Sequence, residues 1–508
     1  MNKSRHIITL LYAAATMIVL SFFFCSREKP ASTEKVLAKI SDRTIHVNEL
    51  KYRAEFIPHP IYPAQGKEGN KKIVLNNLIL EKIFAIEAGK DYPLKNLETY
   101  QAYMKGIKEQ GMREQLYYKE AFEKVKLDSN EIKKAYRLAA REYKLGFYTI
   151  YSDSMANKIN ERIVLNAGNV SRVFDRLGDP DRVPIQEVKY RDPDHYRIHE
   201  ALYSEPLQQG QVIGPIKIGD NHHIIMKVLD WRDNIIFGGE EAQIRWNQVV
   251  EKMTSHEATK LWMQYMTEVM AGKRVDFDKD VFKRLVDTFY AVMVATEEQE
   301  KKEILQNFGK KKPLDLALDG LADGNEFLKQ PFFKVDGQVW TVEDFKKALM
   351  SHPLVYRSQE MATKRDFARQ FRLAVIDMIR DHFLTKEAYA EGLEKSDKVQ
   401  RTVQMWEDAT IATKYRDDLI KKLAEGDTLV GKDPTYLTRK FDKYVTELQL
   451  SYVPKIHVDL AEFDDIELTN IPMFALQPQV PYPFAVPSFP QITQESDLSY
   501  LANDKTKK

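Results

Sequence analysis

A hairpin-and-helix segment that occurs twice constrains this chain more than any other feature. AKISDRTIHVNELK (Ala38 to Lys51) and FKVDGQVWTVEDFK (Phe333 to Lys346) align without a gap. Both alternate apolar and polar residues, as a half-buried strand requires, then turn and start a helix. Lys39 matches Lys334, Ile40 matches Val335, Asp42 matches Gly337, Val47 matches Val342 and Leu50 matches Phe345. In the second copy Asp336-Gly337 is a strong two-residue turn signal, because glycine takes positive φ without steric cost. In the first copy the turn is expected at Asp42-Arg43. Thr341 followed by Glu343 and Asp344 marks a helix start, with a side-chain oxygen for the free amides and acid in the first turn.

The echo continues downstream. LNNLILEKIFAIEA (Leu75 to Ala88) aligns with VIDMIRDHFLTKEA (Val375 to Ala388). Leu75, Leu78, Ile79 and Ile83 share one helical stripe, as do Val375, Met378, Ile379 and Phe383. Long charged helical segments are expected next, over roughly 96–142 and 395–424. Each half then closes with a helix ending near Thr267-Glu268 or Thr446-Glu447 and a short strand around Val275 or Val458. Three elements in the same order twice describe a tandem duplication with an extra module inside the first copy.

That module runs from Arg141 to Asp233. It reads as a strand at Tyr143 to Ser152 and a helix from Met155 to about Asn166, then a loop and helix to about Arg182. A strand at Ile185 to Tyr190 and a helical stretch near His195 to Tyr203 follow, and two strands broken by Gly210 and Gly214-Pro215 finish it. The order βα…β…α…ββ makes a small α/β roll.

Composition narrows the class. At ~150 residues per domain, 508 residues allow about three domains. The 76 basic and 75 acidic side chains leave a net charge of +1, which argues against a nucleic-acid binder, since that would need a clustered excess of Lys and Arg. A single cysteine excludes an intramolecular disulfide framework and multi-cysteine metal sites. His195 and His199 are spaced like a metal pair, but the adjacent Glu200 is out of zincin order and no third ligand is evident, so no metal is expected. No nucleophile elbow, phosphate loop or dinucleotide fingerprint is present, and no cofactor is expected. Lys310-Lys311-Lys312 and Glu297 to Glu303 read as solvated surface.

Two resemblances add to this reading. Lys3 and Arg5, the uncharged run Ile7 to Phe24, and then Cys25 followed by polar residues resemble a bacterial lipoprotein signal, in which Cys25 would be lipidated. An uncleaved anchor and an ordinary cleaved signal are the alternatives, and each implies export to the cell envelope, facing the periplasm. The inserted module resembles a parvulin-type (PpiC-like) prolyl isomerase domain set into the helical core of a SurA-type periplasmic folding factor. The family's Leu-x-x-Gly-x-x-x-x-Pro and His-Ile-Ile-x-x-Val ending is matched by Leu207, Gly210, Pro215, His223, Ile224, Ile225 and Val228. Trp262 falls in the helix that follows. The likeness covers about residues 36–285 and, more weakly, 331–468.

Rotation about an X–Pro bond faces a barrier of ~18–20 kcal/mol, which a site lowers by binding the twisted amide better than the planar one. The resemblance implies two inward histidines, a polar Cys or Asp, and apolar walls. His223 matches the final-strand histidine and is the candidate catalytic residue, while the first-strand histidine falls at Phe147. Phe147, Leu202, Tyr203 and Leu207 are the candidate client-binding residues. One histidine in place of two favours binding over catalysis.

The expected fold is α+β and mostly helical: two SurA-like helical cores with small β-hairpins, plus one parvulin-like roll. The boundaries are an export signal at 1–25, a linker at 26–35, a first core at 36–142 plus 234–285, the roll at 143–233, a connector at 286–330, a second core at 331–470 and a proline-rich tail at 471–508. The tail is expected to be extended, like polyproline, without a packed core, or else to dock in a cleft as a client-like segment. The expected partners are unfolded or extended polypeptides of outer-membrane or exported proteins, with the membrane engaged through the N-terminal anchor. The competing reading is a structural or scaffold lipoprotein that uses the same folds to grip a partner.

Overall fold

The computed structural model describes residues 35–501 except 166–169, 179–181, 193–194, 220, 237, 304–323, 359–360, 362, 428–432, 434 and 470–472. Cys25 and the apolar run before it lie outside the described residues, as do Lys310-Lys311-Lys312. Among the described residues, no helix is long and apolar enough to cross a membrane. The fold is α+β and mostly helical, with three small antiparallel sheets.

The first hairpin is β1 (Val36–Ile40) and β2 (Arg43–His46), followed by α1 (Val47–Glu55), α2 (Gly66–Ala88) and α3 (Glu98–Glu120). Ile40 pairs with Arg43, so the turn is Ser41-Asp42, one residue earlier than expected, and Ser41 takes the left-handed φ of +53°. This brings the two copies into true register, since Asp336-Gly337 occupies the same place between Val335 and Gln338. The expected helix over 96–142 is two helices. α3 ends at Glu120, and α4 (Ser129–Leu138) begins after Asp128, whose carboxylate accepts from the amides of Asn130 (2.7 Å) and Glu131 (3.1 Å).

The chain divides into two compact units, one of which is Tyr117–Tyr265. Within it lie α4, β3 (Arg141–Ile150), α5 (Asp153–Leu165), α6 (Val170–Phe174), β4 (Ile185–Lys189), α7 (Tyr196–Tyr203), β5 (Val212–Gly219), β6 (His222–Asp233) and most of α8 (Glu240–Met270). The sheet order is β4-β3-β6-β5, antiparallel throughout. Gly214-Pro215 does not end a strand as expected. It sits inside β5 at a register irregularity, where proline's missing N–H costs nothing on an edge strand.

The other unit contains the rest of the described chain. Here β7 (Asp276–Phe277) and α9 (Lys279–Glu303) are followed by the short α10 (Gly324–Leu328) and the second hairpin, β8 (Pro331–Val335) and β9 (Gln338–Thr341). Next come α11 (Val342–Ser351), α12 (Lys364–Ala390), α13 (Asp397–Ala424), α14 (Tyr436–Tyr452), β10 (Ile456–Val458) and α15 (Leu460–Asp465). Thr341 caps α11 as expected, in a reciprocal box with Asp344.

The closing strands are exchanged between the halves. β10 pairs with β1, with Ala38 opposite Val458, whereas β7 pairs with β8 of the second hairpin. The cores follow the strands. Leu37, Ile40, Ile45, Leu75, Leu78, Ile79 and Ile83 pack with Phe441, Val445 and Ile456 from the chain's far end. Phe332, Phe345, Phe371 and Val375 pack with Val281, Leu285 and Phe289. All eight of the matched stripe residues on α2 and α12 are buried.

Candidate functional site

In the Tyr117–Tyr265 unit, strand alternation sorts side chains between two faces of one sheet. Phe147 lies opposite Met226, and Leu145 opposite Val228. These residues pack with Leu202, Tyr203 and Leu207 under α7. All four apolar candidates are buried, so they fill the core of this face. The Tyr203 hydroxyl donates to the carbonyls of Val188 (3.2 Å) and Arg141 (3.3 Å), which is how a buried phenol is normally satisfied.

His223 faces the other way. It lies opposite Ile150, whose cluster on the α5/α6 side holds Ala156, Ile159, Phe174 and Ile225. Its Nε2 is 3.4 Å from Asp153 Oδ1, and Lys217 Nζ is 3.2 Å from the same oxygen. Its Nδ1 is buried without a hydrogen-bond partner among the described residues. His223 and the four apolar candidates therefore do not converge on one cleft. Beside His223 in sequence, the half-buried His222 stacks on the exposed Tyr151 with ring centroids 5.0 Å apart.

Three other histidines do meet in this unit. His199 and His256 are 4.8 Å apart edge to face, and His195 caps α7. Burial, reinforced by the charges of Lys252 and His256, pulls His199 down to about 2. Burial, with Lys252 and Lys260, pulls His256 down to about 4. His199 bonds the Tyr190 carbonyl at 3.1 Å, as a core histidine does. Among the described residues, no group of three His, Cys, Asp or Glu side chains is placed to hold a metal ion.

The helical unit holds a different kind of site. The tail is extended, as expected, but it is packed. Val486, Pro487, Phe489, Pro490 and Ile492 are buried, and Val486, Phe489 and Ile492 join the core of the first hairpin. Side chains of the helical body bind the tail through its backbone. Gln110 on α3 donates to the Tyr482 carbonyl (2.9 Å) and accepts its amide (2.9 Å), a two-bond clasp. Arg53 donates to Ser488 O (3.1 Å) and Arg416 to Pro490 O (2.5 Å). Asn77 on α2 accepts the amides of Ile492 (2.7 Å) and Thr493 (3.1 Å) and donates to Thr493 O (2.8 Å). Asn76 donates to the carbonyls of Glu495 (2.7 Å) and Asp497 (3.2 Å). Gly106 is needed for close approach, because a Cβ there would lie 2.2 Å from the Tyr482 hydroxyl.

Beneath this groove lies a buried charge network. Arg53 clasps Glu81 with two bonds of 3.1 and 2.7 Å. Lys82 Nζ lies 2.7 Å from Glu49, 3.2 Å from Asp408 and 3.6 Å from Glu81, and Arg43 is 3.1 Å from Asp408. Burial alone would depress Lys82, but the three carboxylates outweigh it and hold the ammonium well above the ordinary lysine range. Arg53 thus links the network to the tail. None of Asn76, Asn77, Gln110 and Arg53 was singled out from sequence, although two consecutive asparagines inside the apolar run LNNLILEKI are a readable signal. Polar side chains on a buried stripe need partners from elsewhere in the chain.

No family model and no curated protein matches the chain. Among solved structures, that of the foldase protein PrsA from Lactococcus lactis aligns with 46% of this chain and 93% of its own, at 13% identity and a TM-score of 0.14. A likeness of that size carries no functional weight.

Proposed function

We propose that the chain is an exported folding factor of the parvulin/SurA type that holds extended, proline-containing stretches of envelope proteins as a chaperone, anchored to the membrane through a lipidated Cys25. One observation carries the reading. The helical unit holds an extended proline-rich stretch of its own chain, residues 485–498, with Val486, Phe489 and Ile492 buried in its apolar core and side-chain amides and guanidinium groups aimed at the backbone. Contacts to the backbone are indifferent to sequence, which a protein handling many unfolded clients requires. The parvulin-like unit supports holding more than catalysis. Twisting an amide calls for polar groups converging on one cleft, and here Phe147 is core while His223 lies on the opposite face.

The test pairs two assays on the purified chain: dilution of a urea-unfolded outer-membrane protein followed by light scattering, and isomerisation of a proline tetrapeptide. Suppressed aggregation without faster isomerisation is the expected result. Failure in both assays sinks the reading. Isomerisation that disappears in His223→Ala would replace the chaperone with an enzyme.

A further inference from the structure

We infer that the groove along α2 and α3 is a binding site for unfolded, proline-containing polypeptide, which the chain's own residues 481–501 occupy in cis and which such a polypeptide opens by displacing them. The inference rests on the folding-factor reading for the class of competitor and adds to it the site and its control.

Three features set this segment apart from an ordinary surface-packed terminus. First, five body side chains contact seven tail residues through backbone atoms: Arg53, Asn76, Asn77, Gln110 and Arg416 reach residues 482, 488, 490, 492, 493, 495 and 497. Any extended chain offers the same backbone groups, to which this tail adds side-chain bonds of its own from Tyr482 to Ser351 O (3.0 Å) and from Tyr500 to Asn76 Oδ1 (2.6 Å). Second, prolines fit the pattern. The groove takes the carbonyls of Ser488 and Pro490 by donating from arginine, and Pro487 and Pro490 are buried in it. A proline ring removes an N–H at no cost where the site wants only a carbonyl, and its fixed φ keeps the segment extended. Third, the part of the tail that folds back, Met473 to Phe484, shows its apolar side chains to solvent. Met473, Phe474 and Phe484 are 45–54% exposed, and Phe474 and Phe484 meet edge to face with ring centroids 6.1 Å apart. An apolar edge beside an occupied groove gives an incoming unfolded chain a first foothold.

The experiment begins with hydrogen exchange on the whole chain. The amides of Tyr482, Ile492 and Thr493 are expected to exchange about 100-fold faster than those of α2, through an opening that leaves the helices intact. Addition of β-casein, an unfolded proline-rich protein, speeds them further. A variant lacking residues 481–508 then binds β-casein about tenfold more tightly than the whole chain, and a synthetic 481–501 peptide competes for it. Tail amides as protected as α2 would make the segment an integral core element and overturn the inference, and this measurement stands even if the shortened chain does not fold. Equal casein affinity with and without the tail overturns it too, while leaving the folding-factor reading intact. Casein binding by neither form removes both.

Discussion

Replacing Lys82 by methionine isolates the contribution of the buried network. Methionine keeps most of the unbranched stem, so the change is mainly one of charge. In the native protein three cations (Arg43, Arg53, Lys82) meet three anions (Glu49, Glu81, Asp408), and the Arg53, Glu81 and Asp408 side chains have no exposed surface. Removing Lys82 leaves two cations for three carboxylates, with Asp408 keeping Arg43 (3.1 Å) and the amide of Gln404 (2.8 Å), both on Oδ1. Breaking one partner out of a buried ionic cluster costs ~3–5 kcal/mol, and the two remaining arginines place this case near the lower end, about 3 kcal/mol. The readout is urea unfolding followed by hydrogen exchange of segments 66–88 and 397–424, which reports this core apart from the Tyr117–Tyr265 unit. Adding Asp408→Asn restores two cations to two anions and should return roughly half of the loss. The pH dependence has a definite sign. Burial, with Glu81 and Glu49 nearby, already raises the Asp408 carboxyl, and losing Lys82 raises it further. An acid raised in the folded state is penalised as pH climbs through its folded pKa, so the defect should be smaller in mild acid than at neutral pH. A loss under about 1 kcal/mol, or a double variant no better than the single, would refute the argument that charge balance matters here.

Two further outcomes are expected. His199 and His256 stay neutral when folded, held down to about 2 and about 4, while the unfolded chain protonates them from pH 6.5 downward. With His195 also held down by burial, to about 4, three histidines of the Tyr117–Tyr265 unit take up protons on unfolding, so its stability is complete above about pH 6.5 and falls by at most about 1.4 kcal/mol per pH unit per histidine on the way to pH 4, a slope that His256→Gln should cut by about a third in thermal melts. In the second core, Phe345→Ala removes a fully buried ring that lies 4.9 Å from Phe332 and 6.2 Å from Phe371, and should cost ~3–5 kcal/mol in the urea transition read at 364–390.

Much of the fold was legible because periodicity and turn chemistry are local. The Thr341 cap and the turn at Asp336-Gly337 rest on a few neighbouring residues, and both stand where the pattern put them. The stripes on α2 and α12 did so as well, since burial of every third or fourth residue requires only that something covers that face. The first hairpin's turn was misplaced by one residue because Ser41 takes a left-handed φ that glycine usually supplies, leaving no compositional mark. Of the candidate site, Phe147 and His223 could be placed on their strands, but which face each would occupy depends on register. Ile150 lies three positions after Phe147, an odd offset, and Ile150 pairs with His223, so the two candidates point to opposite sides.

The duplication, the element order and the buried stripes follow from the chain's own residues, since local backbone preference and side-chain hydrophobicity act over a few positions. Partnership does not. A strand of two or three residues presents the same N–H and C=O groups whichever hairpin it meets, and only packing decided that β10 completes the first sheet and β7 the second. The tail illustrates the same limit. Its prolines foretold an extended backbone, but the asparagines, arginines and glutamine that bind it lie hundreds of residues earlier or on α13, and only the folded chain brings them to one groove.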